Sequence, residues 1–123
     1  MDDMIMDDKL KEKVELSILF DFYGELLKNH NKQIFEDYIL NDLSLSEIAE
    51  EQGISRQGVY DIVKRCSKQL KECEEKLNLV KKFEETKALV NRIKALSEQM
   101  KISGKLTGLE DIIILSDNIM KDL

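Results

Sequence analysis

Apolar residues recur at helical spacing along most of the chain and predict a series of amphipathic helices. The first helix covers residues 10 to 27, where the apolar positions fall largely along one stripe. A polar break, KNHNK, separates it from a second helix, for which Asn29 or Asn31 is the predicted N-cap. The buried face of this second helix is expected to consist of Ile34, Phe35, Tyr38 and Ile39.

The third helix has a start signal and a stop signal close together. Ser44 followed by Glu47 fits a capping box, in which each side chain satisfies a backbone N–H at the helix start; Ser46 is an alternative cap. These residues predict a short helix over about residues 45 to 52. Gly53 ends it, because a residue without Cβ readily takes the left-handed conformation of a sharp exit.

A long helical pattern follows, beginning at Arg56 with Ser55 as its cap. Two apolar seams within it are offset from each other, which predicts a break near Asn78 and two helices; one long kinked helix is the alternative. The linker SGKLTG and a second capping box, Thr107 with Glu110, precede a last helix. The chain contains no Pro and only five Gly, which agrees with an all-α fold.

The third and fourth helices meet the requirements of a helix-turn-helix. This motif needs a small residue where the two helices cross, a Gly in the turn, and a branched apolar residue that packs back on the first helix. Ala49, Gly53 and Val59 fill these three positions. The flanking core positions are filled by Ile48, Ile54 and Ile62. We therefore expect a helix-turn-helix domain, residues 1–71, followed by a C-terminal helical extension, residues 72–123, that packs on it or dimerises.

If the fourth helix turns Val59 and its apolar neighbours inward, its opposite face is polar and fit to read a groove of nucleic acid. Arg and Gln make paired hydrogen bonds to base edges, whereas Ser, Lys and the helix N–H groups suit phosphates. Asp61 is the discordant member, and Gly58 is expected to mark a close approach of the neighbouring helix. The predicted nucleic-acid-binding residues are Ser55, Arg56, Gln57, Tyr60, Asp61, Lys64, Arg65 and Lys68.

Charge is distributed unevenly along the chain, whose net charge is -6. Residues 1–53 hold five Lys/Arg against fourteen Asp/Glu, and residues 54–71 hold five against one. Because the Debye length at physiological salt is about 8 Å, the distant acid is largely screened from a phosphate at the fourth helix. Binding of nucleic acid is therefore permitted, with a weak non-specific electrostatic component.

The residue pattern indicates no catalytic, metal or cofactor site. His30 has no Cys or second His at metal spacing and is predicted to be an exposed turn residue. Cys66 and Cys73, about 10 Å apart along one predicted helix, lie beyond disulfide reach and are expected to be small apolar fillers. The acidic N-terminus lacks a secretory signal, and the longest apolar run, IIIL, is too short to span a membrane. We therefore expect a cytoplasmic protein that does not enter a membrane.

The apolar seams after residue 70 have two interpretations. They pack back on the first two helices, or they form a dimer or partner-docking surface. We expect a homodimer, because a seam of this length exceeds the partner surface available inside so small a chain. A symmetric dimer would also hold two recognition helices at a fixed spacing.

The segment YILNDLSLSEIAEEQGISRQGVYDIVKR resembles region 4 of bacterial sigma factors and, more closely, the YlxM family of small helix-turn-helix proteins. The resemblance covers roughly residues 18 to 82, and Gly58 stands where the family pattern has Ala. It implies a core of three or four helices, of the winged-helix type but without a wing. The motif carries over the site residues Ser55, Arg56, Gln57, Tyr60, Asp61 and Lys64.

The resemblance also implies a biological setting. Genes of this family lie next to the gene of the signal recognition particle GTPase, which makes the family a candidate regulator of that pathway. Our first hypothesis is a nucleic-acid-binding regulatory protein, for DNA or RNA, that is not an enzyme. The alternative is a protein–protein adaptor in which the helix-turn-helix is scaffold, and the acidic surface or the C-terminal helices grip a basic protein such as the particle GTPase.

Overall fold

A computed structural model describes residues 2–123, with side chains from residue 8 onward, and confirms the all-α prediction: no strand occurs among these residues. A short 3-10 turn, Gly24–Leu26, separates the first two of six α-helices. The helices are α1 (Asp2–Tyr23), α2 (Asn29–Ile39), α3 (Leu45–Gln52), α4 (Arg56–Leu77), α5 (Leu79–Ser103) and α6 (Leu109–Asp122). None of them is long and apolar enough to cross a membrane. The chain divides into two compact units, Met1–Val80 and Lys81–Leu123.

The hydrophobic core of the first unit is built from all four of its helices. α1 contributes Leu16, Leu19, Phe20 and Tyr23, and α2 contributes Ile34, Phe35 and Ile39. α3 contributes Ile48 and Ala49, and the side of α4 that faces them contributes Val59, Val63, Cys66 and Leu70. Burying this much apolar surface is the dominant favourable contribution to the stability of the unit. The predicted buried face of the second helix is confirmed, with Tyr38 partly buried beside it.

The corner between α3 and α4 follows the predicted local signals. Ser44 Oγ accepts a hydrogen bond from the backbone N–H of Glu47 at 3.1 Å, and the Glu47 carboxylate accepts one from the Ser44 N–H at 3.3 Å. This completes the capping box and excludes Ser46 as the cap. Gly53 ends α3 with a φ of 66°, in the left-handed region. Ser55 then caps α4, as predicted.

The break predicted near Asn78 is confirmed, since Asn78 separates α4 from α5 with a φ of 53°. Asn is one of the few residues other than Gly that adopt this conformation at modest cost. The predicted domain boundary after residue 71 falls within α4, whereas the division into two compact units falls between Val80 and Lys81.

Three local predictions were wrong. The first helix extends from Asp2 to Tyr23 instead of covering residues 10–27, and the chain tightens into the 3-10 turn where Gly24 lies against the Phe20 ring. Lys28, in extended conformation, takes the N-cap position of α2, so that Asn29 and Asn31 already belong to the helix.

The predicted capping box of Thr107 and Glu110 is also absent, because α6 begins after Gly108 with no side-chain cap. A Cβ at Gly108 would lie 3.2 Å from Met100 Sδ and 3.3 Å from Leu96 Cδ2 of α5. Close packing of the linker on α5 therefore determines where α6 begins, and Thr107 lies one residue too early to cap it.

A partly buried hydrogen-bond cluster around the buried Tyr23 joins α1 to the junction of α4 and α5. The Tyr23 hydroxyl, on α1, donates to Glu74 Oε1 at 2.5 Å and accepts from the Leu79 N–H at 3.1 Å. The same carboxylate oxygen accepts from the Val80 N–H at 3.0 Å. Two backbone N–H groups at the start of α5 are thus satisfied by side chains of α1 and α4.

We predict that Tyr23→Phe lowers the free energy of unfolding by about 1–3 kcal/mol, because the Leu79 N–H and the Glu74 carboxylate lose a buried partner. Burial, and then the hydrogen bond to Glu74, raise the pKa of Tyr23. A raised folded-state pKa means that the stabilisation is complete below the ordinary tyrosine pKa and is lost as the pH rises above it.

Urea unfolding followed by circular dichroism, at neutral and at alkaline pH, checks this prediction. The Tyr23→Phe protein should lose less stability than the wild type between the two pH values. Tyr60→Phe is the control. Tyr60 is 44% exposed, so a protein without its hydroxyl group should lose as much stability between the two pH values as the wild type does. Equal alkaline losses for the wild type and Tyr23→Phe would contradict the prediction.

Candidate nucleic-acid interface

The helix-turn-helix is formed by α3, the turn at Gly53, and α4. Ile48 and Val59 are fully buried, and Ala49 is 8% exposed. Ile54 and Ile62 are partly buried and pack against the same core. The predicted motif is confirmed, because the small, branched and flanking apolar residues all take the positions that a helix-turn-helix requires.

α4 carries a polar face on the side away from the core. Its buried row fixes the rotation of the helix and consists of Val59, Val63, Cys66 and Leu70. The eight predicted nucleic-acid-binding residues are all exposed: Ser55, Arg56, Gln57, Tyr60, Asp61, Lys64, Arg65 and Lys68. The structure thus leaves them accessible to a ligand, and their contact with nucleic acid stays a prediction.

Asp61 supports the neighbouring glutamine. Gln57 Nε2 donates a hydrogen bond to Asp61 Oδ1 at 3.0 Å, one helical turn further along. The amide of Gln57 has a second N–H and a carbonyl oxygen, which are the two groups that recognise an adenine edge. The carboxylate that looked discordant in the sequence is therefore explained as a group that holds Gln57 on the exposed face.

Gly58 does not mark a close approach of the neighbouring helix, and that prediction was wrong. A Cβ at this position would lie 3.1 Å from Ser55 Oγ and 3.9 Å from Ile54 Cδ1, both in the preceding turn. Ser55 Oγ accepts a hydrogen bond from the Gly58 N–H at 2.9 Å. The glycine therefore gives room to the hydroxyl that caps α4.

A groove of about 890 Å³ runs beside the polar face of α4 and was not predicted. Tyr60, Lys64 and Lys68 line one wall, and residues of α1 line the other. Lys13 of α1 lies 4.7 Å from the centroid of the Tyr38 ring and 3.3 Å from Asp42 Oδ1. The lysines of α1 follow no spacing that relates them to α4, so only the packing of α1 on α4 brings them to this groove.

His30 and Cys66 do not belong to a metal-binding group in the described part of the chain. His30 is exposed, as predicted, but lies in the first turn of α2 rather than in a loop. Cys66 is buried, as expected for a small apolar filler, and burial raises the pKa of its thiol. Among the residues that the structure describes, no three His, Cys, Asp or Glu side chains are grouped so that they could hold a metal ion.

Comparison with known proteins places the chain in a family. The family described as "Putative helix-turn-helix protein, YlxM / p13 like" matches residues 10–109. The chain belongs to the YlxM family of helix-turn-helix proteins. This confirms the resemblance noted in the sequence and extends it beyond the helix-turn-helix into α5 and the start of α6.

Individual relatives agree with this membership. The chain is 44% identical over 100 residues to UPF0122 protein YlxM of Bacillus subtilis (strain 168), an alignment that covers 81% of this chain and 91% of the relative. It is 51% identical over 108 residues to a UPF0122 protein of Thermoanaerobacter sp. (strain X514), covering 88% and 90%. The family description names a helix-turn-helix protein, which agrees with the corner formed by α3 and α4.

We predict that Gly58 and Ser55 are energetically coupled. Ala at position 58 gains up to about 1 kcal/mol in helix propensity but crowds the capping hydroxyl, whereas Ser55→Gly removes that hydroxyl at a cost of a few tenths. Gly58→Ala should therefore stabilise the protein more in the Ser55→Gly background than in the wild type. A double-mutant cycle by urea unfolding measures this difference, and strictly additive effects would contradict it.

Proposed function

We propose that this protein is a cytoplasmic, nucleic-acid-binding regulatory protein that binds DNA or RNA through the exposed face of α4. The observation that carries the proposal is the concentration of positive charge on this helix in an acidic chain. Residues 54–71 hold five Lys/Arg against one Asp, a net charge of +4, while the whole chain carries -6. Membership of a helix-turn-helix family supports the same function.

The site residues have distinct proposed roles. Arg56 and Gln57 lie in the first turn of α4, and their proposed role is to contact base edges, as the first residues of many recognition helices do. Ser55 and the N–H groups of the first turn favour a phosphate, because a helix N-terminus attracts anions. Lys64, Arg65 and Lys68, further along α4, contact the backbone and supply affinity without sequence preference.

The family resemblance connects this function with the signal recognition particle, through the gene neighbourhood of the family. We therefore propose the RNA of that particle as the first RNA ligand to test, beside genomic DNA fragments. Competing duplexes of unrelated sequence distinguish recognition from general attraction to phosphate.

A second candidate function is that of a protein–protein adaptor for a basic partner, such as the particle GTPase. The charge of residues 1–53 favours it, since these residues hold fourteen Asp/Glu against five Lys/Arg. In this case the helix-turn-helix is scaffold, and changes on the exposed face of α4 leave retention of the protein partner intact.

We predict that Arg56→Ala/Lys64→Ala weakens binding to the cognate nucleic acid with unchanged far-UV dichroism; loss of the Arg56 base contact costs about 1–3 kcal/mol, and loss of Lys64 weakens binding to every sequence alike. Gel-shift titrations at two salt concentrations measure the change in affinity. Because a phosphate is no longer neutralised, the logarithm of the affinity should also depend less steeply on the logarithm of the salt concentration.

The matched control is Arg92→Ala/Lys105→Ala, which removes the same charge from exposed positions in the second unit. This control should bind like the wild type. If the Arg56→Ala/Lys64→Ala protein binds every tested DNA and the particle's RNA as tightly as the wild type, the face of α4 does not read nucleic acid.

A further inference from the structure

The second unit, Lys81–Leu123, leaves most of its apolar side chains in contact with solvent. α5 buries none of its 25 residues, and Leu115 is the one buried residue of α6. The side chains of Val90, Ile113 and Met120 are 49%, 53% and 69% exposed. Helices in water are stabilised mainly by packing of an apolar face, so two helices with so little buried surface need a further partner.

The residues of α5 fall into two stripes. One stripe is half-buried and repeats at helical spacing: Thr86, Leu89, Ile93, Leu96 and Met100. The other lies about a quarter turn further round the helix and is exposed. It contains Val90 together with three lysines at seven-residue intervals, Lys87, Lys94 and Lys101.

α6 has the same division. Ile112, Leu115 and Ile119 are buried or half-buried, and Leu109, Ile113 and Met120 form an exposed stripe about a quarter turn further on. Glu110 and Asp117, seven residues apart, flank this exposed stripe. Gly108 lies against Leu96 and Met100, so α6 begins beside the last turns of α5. The burial of Leu115 and the half-buried stripe of α5 back to Thr86 fit an α6 that turns back along α5.

The two exposed stripes lie on one side of this helical hairpin. In each helix the exposed stripe follows the half-buried stripe by about a quarter turn in the direction of the chain. With α6 antiparallel to α5, this quarter turn brings both exposed stripes to the same side of the hairpin. The hairpin therefore has one exposed side, to which α6 contributes an apolar stripe and α5 contributes Val90 with its row of lysines. In a four-helix bundle each helix likewise contacts two neighbours about a quarter turn apart.

The charges of the two helices are complementary. α5 carries six Lys/Arg and three Glu, a net charge of +3, and α6 carries one Lys and four Asp/Glu, a net charge of -3. The lysines beside the exposed stripe of α5 and the acidic residues beside that of α6 both repeat every seven residues, about 10.5 Å along a helix. A surface made of such a pair of helices is complementary to a second copy of itself.

We propose that a second copy of this chain covers the exposed face of the hairpin, with α5 of each copy packed antiparallel against α6 of the other. A two-fold axis along the helices makes the two α5–α6 contacts identical and closes the assembly as a dimer. Val90 meets the apolar stripe of the partner's α6, and the lysines of α5 approach the acidic residues that flank it. This inference does not depend on whether α4 binds nucleic acid.

Two charge-reversed chains test the pairing. In one, Lys94→Glu/Lys101→Glu sets acid against the partner's acidic α6; in the other, Glu110→Lys/Asp117→Lys sets lysine against the partner's basic α5. Sedimentation equilibrium should show a wild-type dimer and, for each variant alone, a dissociation constant raised about tenfold or more, equivalent to 1.4 kcal/mol. An equimolar mixture of the two variants should restore association, because both of its interfaces pair opposite charges.

Arg92→Glu/Lys105→Glu is the matched control, with the same change of charge away from the exposed stripe, and it should dimerise like the wild type. Far-UV dichroism verifies that each variant keeps its helices. Ile113→Gln alters the exposed stripe of α6 without changing its charge, and it should also weaken the dimer. A wild-type chain that is monomeric at every concentration overturns the proposal. So do charge-reversed variants that dimerise unaltered, or a mixture that does not associate.

Discussion

The packing of α4 against α1, α2 and α3 is the constraint on which the first unit depends. One row of α4 side chains, which includes the fully buried Val59 and Leu70, packs against the buried residues of the other three helices and completes the core. Since a helix that buries one row must expose the opposite one, the same packing determines which side chains face solvent. The packing that forms the core therefore also exposes Arg56, Gln57 and Lys64.

Polar side chains define the two ends of this helix. Ser55 caps its start, and Gly58 leaves space for the capping hydroxyl. At the other end, Tyr23 and Glu74 satisfy the first N–H groups of α5. These contacts define where α4 begins and where α5 takes over, and the Ser55 cap supports the first turn of α4, where the proposed base-reading residues lie. A reading surface needs such support, because loosely held side chains lose more entropy when they bind.

The two units differ in how much apolar surface they bury and in how charge is distributed on their surfaces. The first unit has a hydrophobic core of its own and leaves a charged helix face exposed. The second has little core, and segregates charge between a basic α5 and an acidic α6. A dimer held by the second unit would carry two copies of the α4 face, and helix-turn-helix dimers commonly bind two half-sites and gain affinity from both.

Local sequence determined those features whose physical cause lies within a few residues. The capping box at Ser44, the left-handed turn at Gly53, the cap at Ser55 and the break at Asn78 each depend on one side chain or on one backbone conformation. The row of buried positions on α4 also followed from the sequence, since helical geometry relates them at fixed intervals. The exposed face of α4 could be derived in the same way.

Only the tertiary structure decided the rest, because its causes are contacts between distant residues. The start of α6 is set by Gly108 packing on Leu96 and Met100, which overrode the capping signal at Thr107. The partnership of Tyr23 with Glu74 joins residues 51 positions apart, and no local pattern marks it. The groove beside α4 likewise requires α1 to lie against that helix. The sequence by itself determined which helix presents an exposed polar face with a net positive charge, and tertiary packing decided what surrounds it.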